Sequence, residues 1–219
     1  MMKEIYAKAR EPMNFLTHFI GVIMSIVATV YMVYTSIHHN CSWLVIFSTI
    51  VFGLSLVALY SASSYYHYYN GTNEKKLLWL RKLDHSMIYV LIVGTYTPIS
   101  LYYLPQGENI VFTTILWVIA FIGIIVKLCW MGAPRFLSTL VYILLGWAVL
   151  FDFNSFLAIP SSGLYLIAAG GLSYTIGAII YILKKPNIGN LFGFHEIFHI
   201  FILIGSLLHI LAICIYVIG

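Results

Sequence analysis

Two histidines near the end of the sequence, His195 and His199, have the spacing of a pair of metal ligands. Residues four apart in a helix lie on one face with Cβ atoms about 5–6 Å apart, so both imidazoles can reach one ion. His67, from a distant part of the chain, is the candidate third ligand. Three protein ligands with a fourth position open to water are typical of catalytic zinc sites. We therefore predict a Zn²⁺ site, although histidine-rich sites also suit iron, copper or nickel.

Asp84 and Ser63 are the candidate catalytic residues beside this metal. Ser63 precedes His67 by one helical turn, so its hydroxyl faces the same way. Asp84 stands at the expected start of a membrane helix, and an ionisable residue within a membrane segment is a functional candidate. Without a metal, Asp84 is instead an N-cap or an ion-pair partner of Arg81 and Lys82, and His67 is an interfacial histidine.

The segment His195–Glu196–Ile197–Phe198–His199 also matches the HExxH pattern of zinc metalloproteases, in which the glutamate is the general base. Here Glu196 points about 100° away from the histidine face, so we expect it to stabilise the N-terminus of the helix instead. His18 lies a little over a turn into the first predicted helix, and its role stays open. His85 cannot share the face of Asp84 and is a candidate for indirect support of the site.

The composition is that of an integral membrane protein. Of the 219 residues, 62% are hydrophobic and only 8% are charged, and mean hydropathy is +0.96. Soluble domains carry about 25% charged residues. A bilayer core about 30 Å thick needs about 20 mainly apolar residues in a helix. Seven segments meet this requirement, so we predict an all-α bundle of seven transmembrane helices that forms one domain over residues 1–219. The predicted spans are residues 13–37, 43–66, 84–103, 110–130, 137–156, 163–183 and 195–218.

Lysine and arginine predict the orientation of this bundle. All 11 of them fall in or beside the N-terminal tail and the second, fourth and sixth connections, on one side of the membrane. By the positive-inside rule, the N-terminus is cytoplasmic and the C-terminus outside. The net charge of +4 follows from this bias and needs no nucleic-acid partner. The cysteines Cys41, Cys129 and Cys214 show no disulfide framework, and we expect three free thiols, with a bridge between Cys41 and Cys214 near the outer face as the alternative.

Four stretches resemble the bacterial hemolysin III proteins, which belong with the progestin and adiponectin receptors. They are EPMNFLTHFIG from Glu11, SASSYYH ending at His67, DHSMIYVLIVGTYTP from Asp84 and GFHEIFHIFILIGS from Gly193. The resemblance covers the whole chain. It implies zinc held by three histidines near the cytoplasmic face of the cell membrane and a bound water contacted by the aspartate. This pattern falls on Ser63, His67, Asp84, His195 and His199. The related alkaline ceramidases imply amide hydrolysis of a lipid.

The leading hypothesis is a membrane-embedded zinc hydrolase of a lipid amide or ester, with a membrane lipid as substrate. A cytolysin is the first alternative, although seven constitutive spans without charged rings are unlike a secreted pore former. A zinc-binding membrane stress sensor or receptor is the second alternative, which requires Asp84 to bind the metal directly and close a four-ligand structural site. The oligomeric state is left open.

Overall fold

The computed structural model describes residues 8–130, 132, 134–188 and 192–219. Within these residues the chain forms seven long helices. They are Pro12–His38 (α1), Trp43–Tyr68 (α2), Glu74–Tyr103 (α3), Glu108–Cys129 (α4), Arg135–Gly146 (α5), Ser161–Leu183 (α6) and Phe194–Ile213 (α7). A 3₁₀ segment, Ala148–Asp152, and a short helical turn, Phe153–Phe156, extend α5, and a π-helical segment, Cys214–Ile218, extends α7.

The predicted class of fold, a helical membrane bundle, is confirmed. Six of the helical segments are long and apolar enough to cross a bilayer, with α5 and its extension counted as one segment, Arg135–Phe156. The seventh helix, α3, is also long enough, but its buried side chains include several serines and threonines. Polar residues in a membrane helix normally face the bundle interior or a water-filled cavity. The polarity of α3 therefore marks it as a helix that faces inward.

The prediction that Asp84 opens the third helix is wrong. Helix α3 begins ten residues earlier, at Glu74, because the Asn73 side chain accepts a hydrogen bond from the Lys76 amide at 3.0 Å and caps this end. The basic residues assigned to the second connection therefore lie in the first turns of α3. Asp84 lies inside the helix, so it is not an N-cap.

The fifth predicted span, residues 137–156, is interrupted. Helix α5 ends at Gly146, and the Tyr96 hydroxyl of α3 donates a hydrogen bond to the Gly146 carbonyl at 2.6 Å. The same hydroxyl accepts from the Val149 amide at 3.1 Å. A break in a membrane helix is tolerated where other groups satisfy the freed backbone. Tyr96 does this here, and the only sequence signal of the break in the apolar run is Gly146 itself.

Apolar side chains cover the outside of the bundle and small polar side chains lie inside it, the opposite of a soluble protein. Val27, Val30 and Phe121 are 63%, 65% and 63% exposed on the outer surface, whereas Ser25 and Ser100 are fully buried. Small residues inside the bundle let membrane helices approach closely. We infer that the bundle presents its apolar side chains to lipid and its small polar side chains to the interior.

Helices α1, α2 and α7 approach one another closely. Helices α2 and α7 carry the candidate metal ligands, and α1 carries residues next to them. Gly21 of α1 lies against Tyr60 of α2, and a Cβ atom at residue 21 would be only 2.4 Å from the tyrosine ring. The Tyr60 hydroxyl donates to Ser206 of α7 at 2.7 Å. Tyr60 therefore fixes α1, α2 and α7 relative to one another about two turns from His67.

Candidate metal centre

The start of α1 is held against the end of α2 by the backbone. The last carbonyl groups of a helix have no partner within the helix. Here the carbonyl of His67 accepts a hydrogen bond from the Glu11 amide at 3.1 Å, and that of Tyr68 accepts one from the Arg10 amide at 3.4 Å. The Arg10 guanidinium also lies over the Tyr66 ring at 4.5 Å. These contacts place Glu11 beside the imidazole of His67.

His67, His195 and His199 converge on one point at this end of the bundle. One ring nitrogen from each lies within 4.8 Å of the others, so the group could hold a metal ion. The centre of the His67 ring is 5.0 Å from that of His195 and 5.1 Å from that of His199, and the last two are 4.7 Å apart. His67 and His199 are almost completely buried. The structure thus brings together the three residues predicted to be ligands.

The hydrogen bonds of His67 leave one nitrogen available for a metal. Its Nδ1 donates to the Glu11 carboxylate, which fixes the proton on Nδ1. Its Nε2 is buried and has no hydrogen-bond partner within the described part of the chain. A buried polar atom without a partner is costly, so its presence indicates a missing ligand. The donor set therefore fits a metal ion.

His199 is oriented in the same way from α1. The Thr17 hydroxyl donates its only proton to the Asn14 carbonyl at 2.9 Å and lies 3.0 Å from Nδ1 of His199. The hydroxyl must therefore accept a hydrogen bond from Nδ1–H, which leaves Nε2 of His199 as the free lone pair. Metal-bound histidines usually donate their second nitrogen to an oxygen in this way, and the pairing sets the tautomer.

Glu11 and Thr17 contact two of the candidate ligands, and the sequence analysis did not identify them. Burial alone would raise the pKa of the Glu11 carboxyl, but its hydrogen bond with His67 and the neighbouring Arg10 charge hold the pKa below its usual value. Glu11 is therefore an anion that supports His67. The available signal was the position of both residues at the membrane depth of the histidines, but which ring each one contacts depends on helix packing.

His18 lies against the histidine cluster. Its ring stacks on that of His199, with centres 3.4 Å apart and planes 15° apart. Neither of its ring nitrogens has a hydrogen-bond partner within the described chain, although the side chain is only 3% exposed. His18 falls outside the three-histidine group because a lone pair lies in the plane of its own ring, and two stacked rings do not direct their lone pairs to one point. Its nitrogens are free to bind another group.

The two residues predicted to be catalytic, Asp84 and Ser63, line the same cavity as His195 and His199. Ser63 is 1% exposed, and the Asp84 side chain is 13% exposed. Nδ1 of His85 lies 3.2 Å from an Asp84 oxygen, so His85 contacts this carboxylate directly. The arrangement provides an acid–base group and a hydroxyl beside the candidate metal ligands.

Glu196 has the structural role expected from its direction on the helix. Its carboxylate accepts a hydrogen bond from the Gly193 amide at 2.9 Å at the N-terminus of α7. This contact occupies the carboxylate in capping the helix, so the prediction is confirmed. The resemblance to the metalloprotease pattern thus does not extend to the role of the glutamate.

A cavity of about 450 Å³ extends from the histidine cluster into the bundle. Cavities of about 300–1,000 Å³ are typical of small-molecule sites. Most of its wall comes from α3, α5, α6 and α7, and most of that wall is apolar. Representative wall residues are Leu91, Ile99, Phe156, Ile159, Leu164 and Ile167. The cavity joins a polar end, which contains Asp84, His195 and His199, to an apolar interior.

Comparisons with known proteins show the family of this chain. The family model described as "Haemolysin-III related" matches residues 6–210. The chain is 36% identical over 194 residues to "Hemolysin-3 homolog" of Bacillus subtilis (strain 168), covering 88% of this chain and 87% of that protein. It is 34% identical over 206 residues to "Hemolysin-3" of Bacillus cereus, covering 93% and 90% of the two chains. The chain therefore belongs to the haemolysin-III-related family.

Proposed function

We propose that this protein is a zinc-dependent hydrolase embedded in the membrane, which cleaves an amide or ester bond of a membrane lipid. The observation that carries the proposal is the convergence of His67, His195 and His199 beside Asp84, at the polar end of an apolar cavity. A redox-neutral hydrolytic metal fits a site in which a carboxylate is the neighbouring group.

His67, His195 and His199 would hold the ion through one nitrogen each. Glu11 and Thr17 keep the second nitrogen of two of these rings protonated, so that the lone pairs of His67 and His199 face the cluster. A bound Zn²⁺ would polarise the substrate carbonyl and lower the pKa of a water molecule toward about 7.

Asp84 is the proposed general base. Its carboxylate lines the cavity and is in contact with His85, so it can orient a water molecule, accept its proton and pass that proton to the leaving group. Ser63 can donate a hydrogen bond to the oxygen that becomes negative during the attack. His18, with two unpartnered nitrogens, can act as a second donor at the same end of the cavity.

The apolar length of the cavity suits the acyl chain of a lipid. Its walls come mainly from side chains without hydrogen-bonding groups, and the polar end contains Asp84 and the histidines. An acyl chain in this cavity would place the amide or ester group next to those residues. We therefore propose a membrane lipid as the substrate.

The proposal includes a location. The family relationship and the apolar helices indicate a multi-pass membrane protein. The basic residues concentrate at the end of the bundle that contains the histidines, so the positive-inside rule puts this end at the cytoplasmic face of the plasma membrane.

The test is to purify the full chain, measure its metal content by elemental analysis, and assay fluorescent ceramides and acyl esters in detergent and in liposomes. We expect about one zinc per chain. His67→Ala should lose both zinc and turnover, whereas Asp84→Asn should keep zinc and lose at least about 100-fold in rate, the usual contribution of a general base. His18→Leu should keep zinc and lower the rate.

The matched control is His38→Ala, because His38 is an exposed histidine at the far end of α1. It should match the unsubstituted protein in zinc content and rate. Stoichiometric zinc without turnover on any lipid amide or ester would contradict the hydrolase and favour the sensor. Unchanged turnover in Asp84→Asn would show that Asp84 is not the general base.

The names of the relatives support a second candidate function, direct membrane lysis. The discriminating measurement is dye leakage from liposomes that contain the purified protein. Leakage equal in the unsubstituted protein and in His67→Ala would favour a pore over an enzyme. Leakage that follows hydrolytic activity across the variants would indicate that released lipid products disrupt the membrane.

A further inference from the structure

Three basic side chains line the cavity close to the candidate active site. Arg81 is on α3, Lys127 is in the last turn of α4, and Arg135 is the first residue of α5. These positions share one end of the bundle because successive helices run in opposite directions. In the described part of the chain, no carboxylate lies within 4.0 Å of any of the three cationic groups.

One member of this basic cluster, Lys127, is buried and does not face solvent. The residue is 7% exposed, and its ammonium group donates to the Ser138 hydroxyl at 3.1 Å. A buried charge is normally paired with an opposite charge. The cavity therefore contains excess positive charge at a buried position.

Arg135 is held rigidly at the cavity wall. Its guanidinium lies 4.5 Å from the centre of the Tyr181 ring and donates to the Tyr181 carbonyl at 3.3 Å. The other neighbours of the same ring include His195, with ring centres 5.6 Å apart. Tyr181 is thus a shared wall between the basic cluster and the candidate metal ligands. Arg135 and His195 both contact this one ring, and both line the same cavity.

The start of α5 adds positive potential at the same place. The helix has no side-chain cap and no acidic residue in its first turn. The Leu137 and Ser138 amides bond to the Pro134 carbonyl, so the Arg135 and Phe136 amides are the ones without a partner inside the helix. The N-terminus of a helix favours a negative group. Arg135 places a positive charge at this positive end of the helix dipole, which is unfavourable for the helix. A bound anion would offset this repulsion.

We propose that Arg81, Lys127 and Arg135 bind the phosphate of a lipid head group whose acyl chain occupies the apolar cavity. Arginine forks and lysine charges are the usual phosphate ligands in proteins. This inference rests on the proposed function, because it gives that hydrolase a preference for phosphate-bearing lipid substrates. The acyl chain supplies the apolar contact, and the phosphate supplies the negative charge that the buried Lys127 lacks.

Binding can be tested without any chemistry by using ether lipids, which contain no amide or ester bond. The probes are hexadecyl-glycerol phosphate, the same hexadecyl-glycerol without phosphate, and inorganic phosphate. Each is titrated into the purified full-length protein in a neutral detergent. We expect the phosphate lipid to bind at least about tenfold more tightly than the neutral lipid, as charge-assisted hydrogen bonds would provide. The preference should decrease with salt.

The variants Lys127→Gln and Arg135→Gln should each reduce the ratio of the affinities for the phosphate lipid and the neutral lipid severalfold. Lys75→Gln is the matched control, because Lys75 is exposed on the first turn of α3 and does not line the cavity. It should retain the full preference. Should the variants not fold, the comparison of the two ether lipids and its salt dependence in the unsubstituted protein still tests the inference.

Equal affinity for the two ether lipids would overturn the inference. So would inorganic phosphate that binds as tightly as the phosphate lipid, because the acyl cavity would then contribute nothing. Binding of the phosphate ether lipid by a protein that hydrolyses no lipid would refute the hydrolase and leave this binding site intact. Hydrolysis of neutral lipids with no phosphate preference would support the hydrolase and refute the phosphate-binding site.

Discussion

At the scale of single residues, the candidate metal centre depends on oxygens that hold its imidazoles. The Glu11 carboxylate accepts from His67, and the Thr17 hydroxyl accepts from His199. Both come from the start of α1, a helix that contributes none of the three ligands. This helix therefore prepares the ligand geometry, and the protein can keep two lone pairs in a fixed direction before any ion binds.

Replacing Glu11 with alanine should weaken zinc binding while the three ligands remain. Loss of an oxygen partner of a metal-bound histidine typically costs about 10–100-fold in metal affinity. We expect a loss of this size, because Nδ1 of His67 would have no acceptor and the ring could turn. The measurement is zinc affinity by competition with a chromophoric chelator.

Glu74→Ala is the control for this substitution, because Glu74 is an exposed acid in the first turn of α3. It removes the same charge at the same end of the bundle and should leave zinc affinity unchanged. Equal effects of the two substitutions would show that net charge, and not the contact with His67, determines affinity.

The residue pattern predicted the ligand set because spacing carries that information. His195 and His199 must share a helix face, and His67 must lie at the matching membrane depth. The contacts of Glu11 and His18 depend on how α1 rotates against α2 and α7, which no single-helix pattern specifies. The same limit applies to the buried Lys127, which counted only as a loop charge in the sequence.

At the scale of helices, the site is positioned by close packing of α1 against α2. Gly21 allows the Tyr60 ring to lie where a Cβ atom would otherwise be, and Tyr60 is held from the other side by Ser206. Because Tyr60 cannot retreat, this contact fixes the distance between the helix of His18 and the helix of His67. A residue without a side chain at position 21 is thus required for the geometry of the site.

Gly21→Ala should therefore destabilise the protein. Forcing an extra methyl group into a packed interior typically costs about 1–3 kcal/mol. We expect a lower midpoint of thermal unfolding and a reduced zinc affinity, because α1 must move away from α2. The measurements are a thermal unfolding curve in detergent and a chelator competition.

Gly171→Ala provides a matched control, because Gly171 lies within α6 and has open space where a Cβ atom would go. Alanine is the better helix former, so this variant should be as stable as the parent or slightly more stable. A Gly21→Ala protein that unfolds at the same temperature as Gly171→Ala would show that the contact with Tyr60 is easily relaxed.

The helix count followed from the sequence because a span of about 20 apolar residues is a strong signal. The helix ends do not follow from hydropathy. The α3 helix begins before its apolar part because Asn73 caps it, and α5 breaks where Tyr96 replaces lost backbone partners. Both features depend on hydrogen bonds, which hydropathy does not describe. Gly146, at the break in α5, also lines the cavity.

At the scale of the whole molecule, the polar and basic groups concentrate at one end of the bundle. The candidate ligands, Asp84 and the three cations of the cavity all lie there, and the opposite connections contain no lysine or arginine. The distribution predicts which side of the membrane supplies water and any soluble leaving group. A site at the cytoplasmic face would release its polar product into the cell.

Labelling with a membrane-impermeant maleimide tests this orientation. In a cysteine-free background, Gln106→Cys places a thiol on the exposed connection between α3 and α4, and Thr72→Cys places one on the exposed connection between α2 and α3. We expect intact cells to be labelled at residue 106 and not at residue 72, because lysine and arginine retain the α2–α3 connection in the cytoplasm.

Permeabilised cells are the control, and both variants should then react to the same extent, since neither position is buried. Labelling of residue 72 in intact cells would reverse the orientation. The histidine cluster and the basic end of the cavity would then face outward, and the proposed hydrolase would have to draw its water and release its polar product outside the cell. The outcome therefore decides on which side of the membrane a substrate with a phosphate head group must be sought.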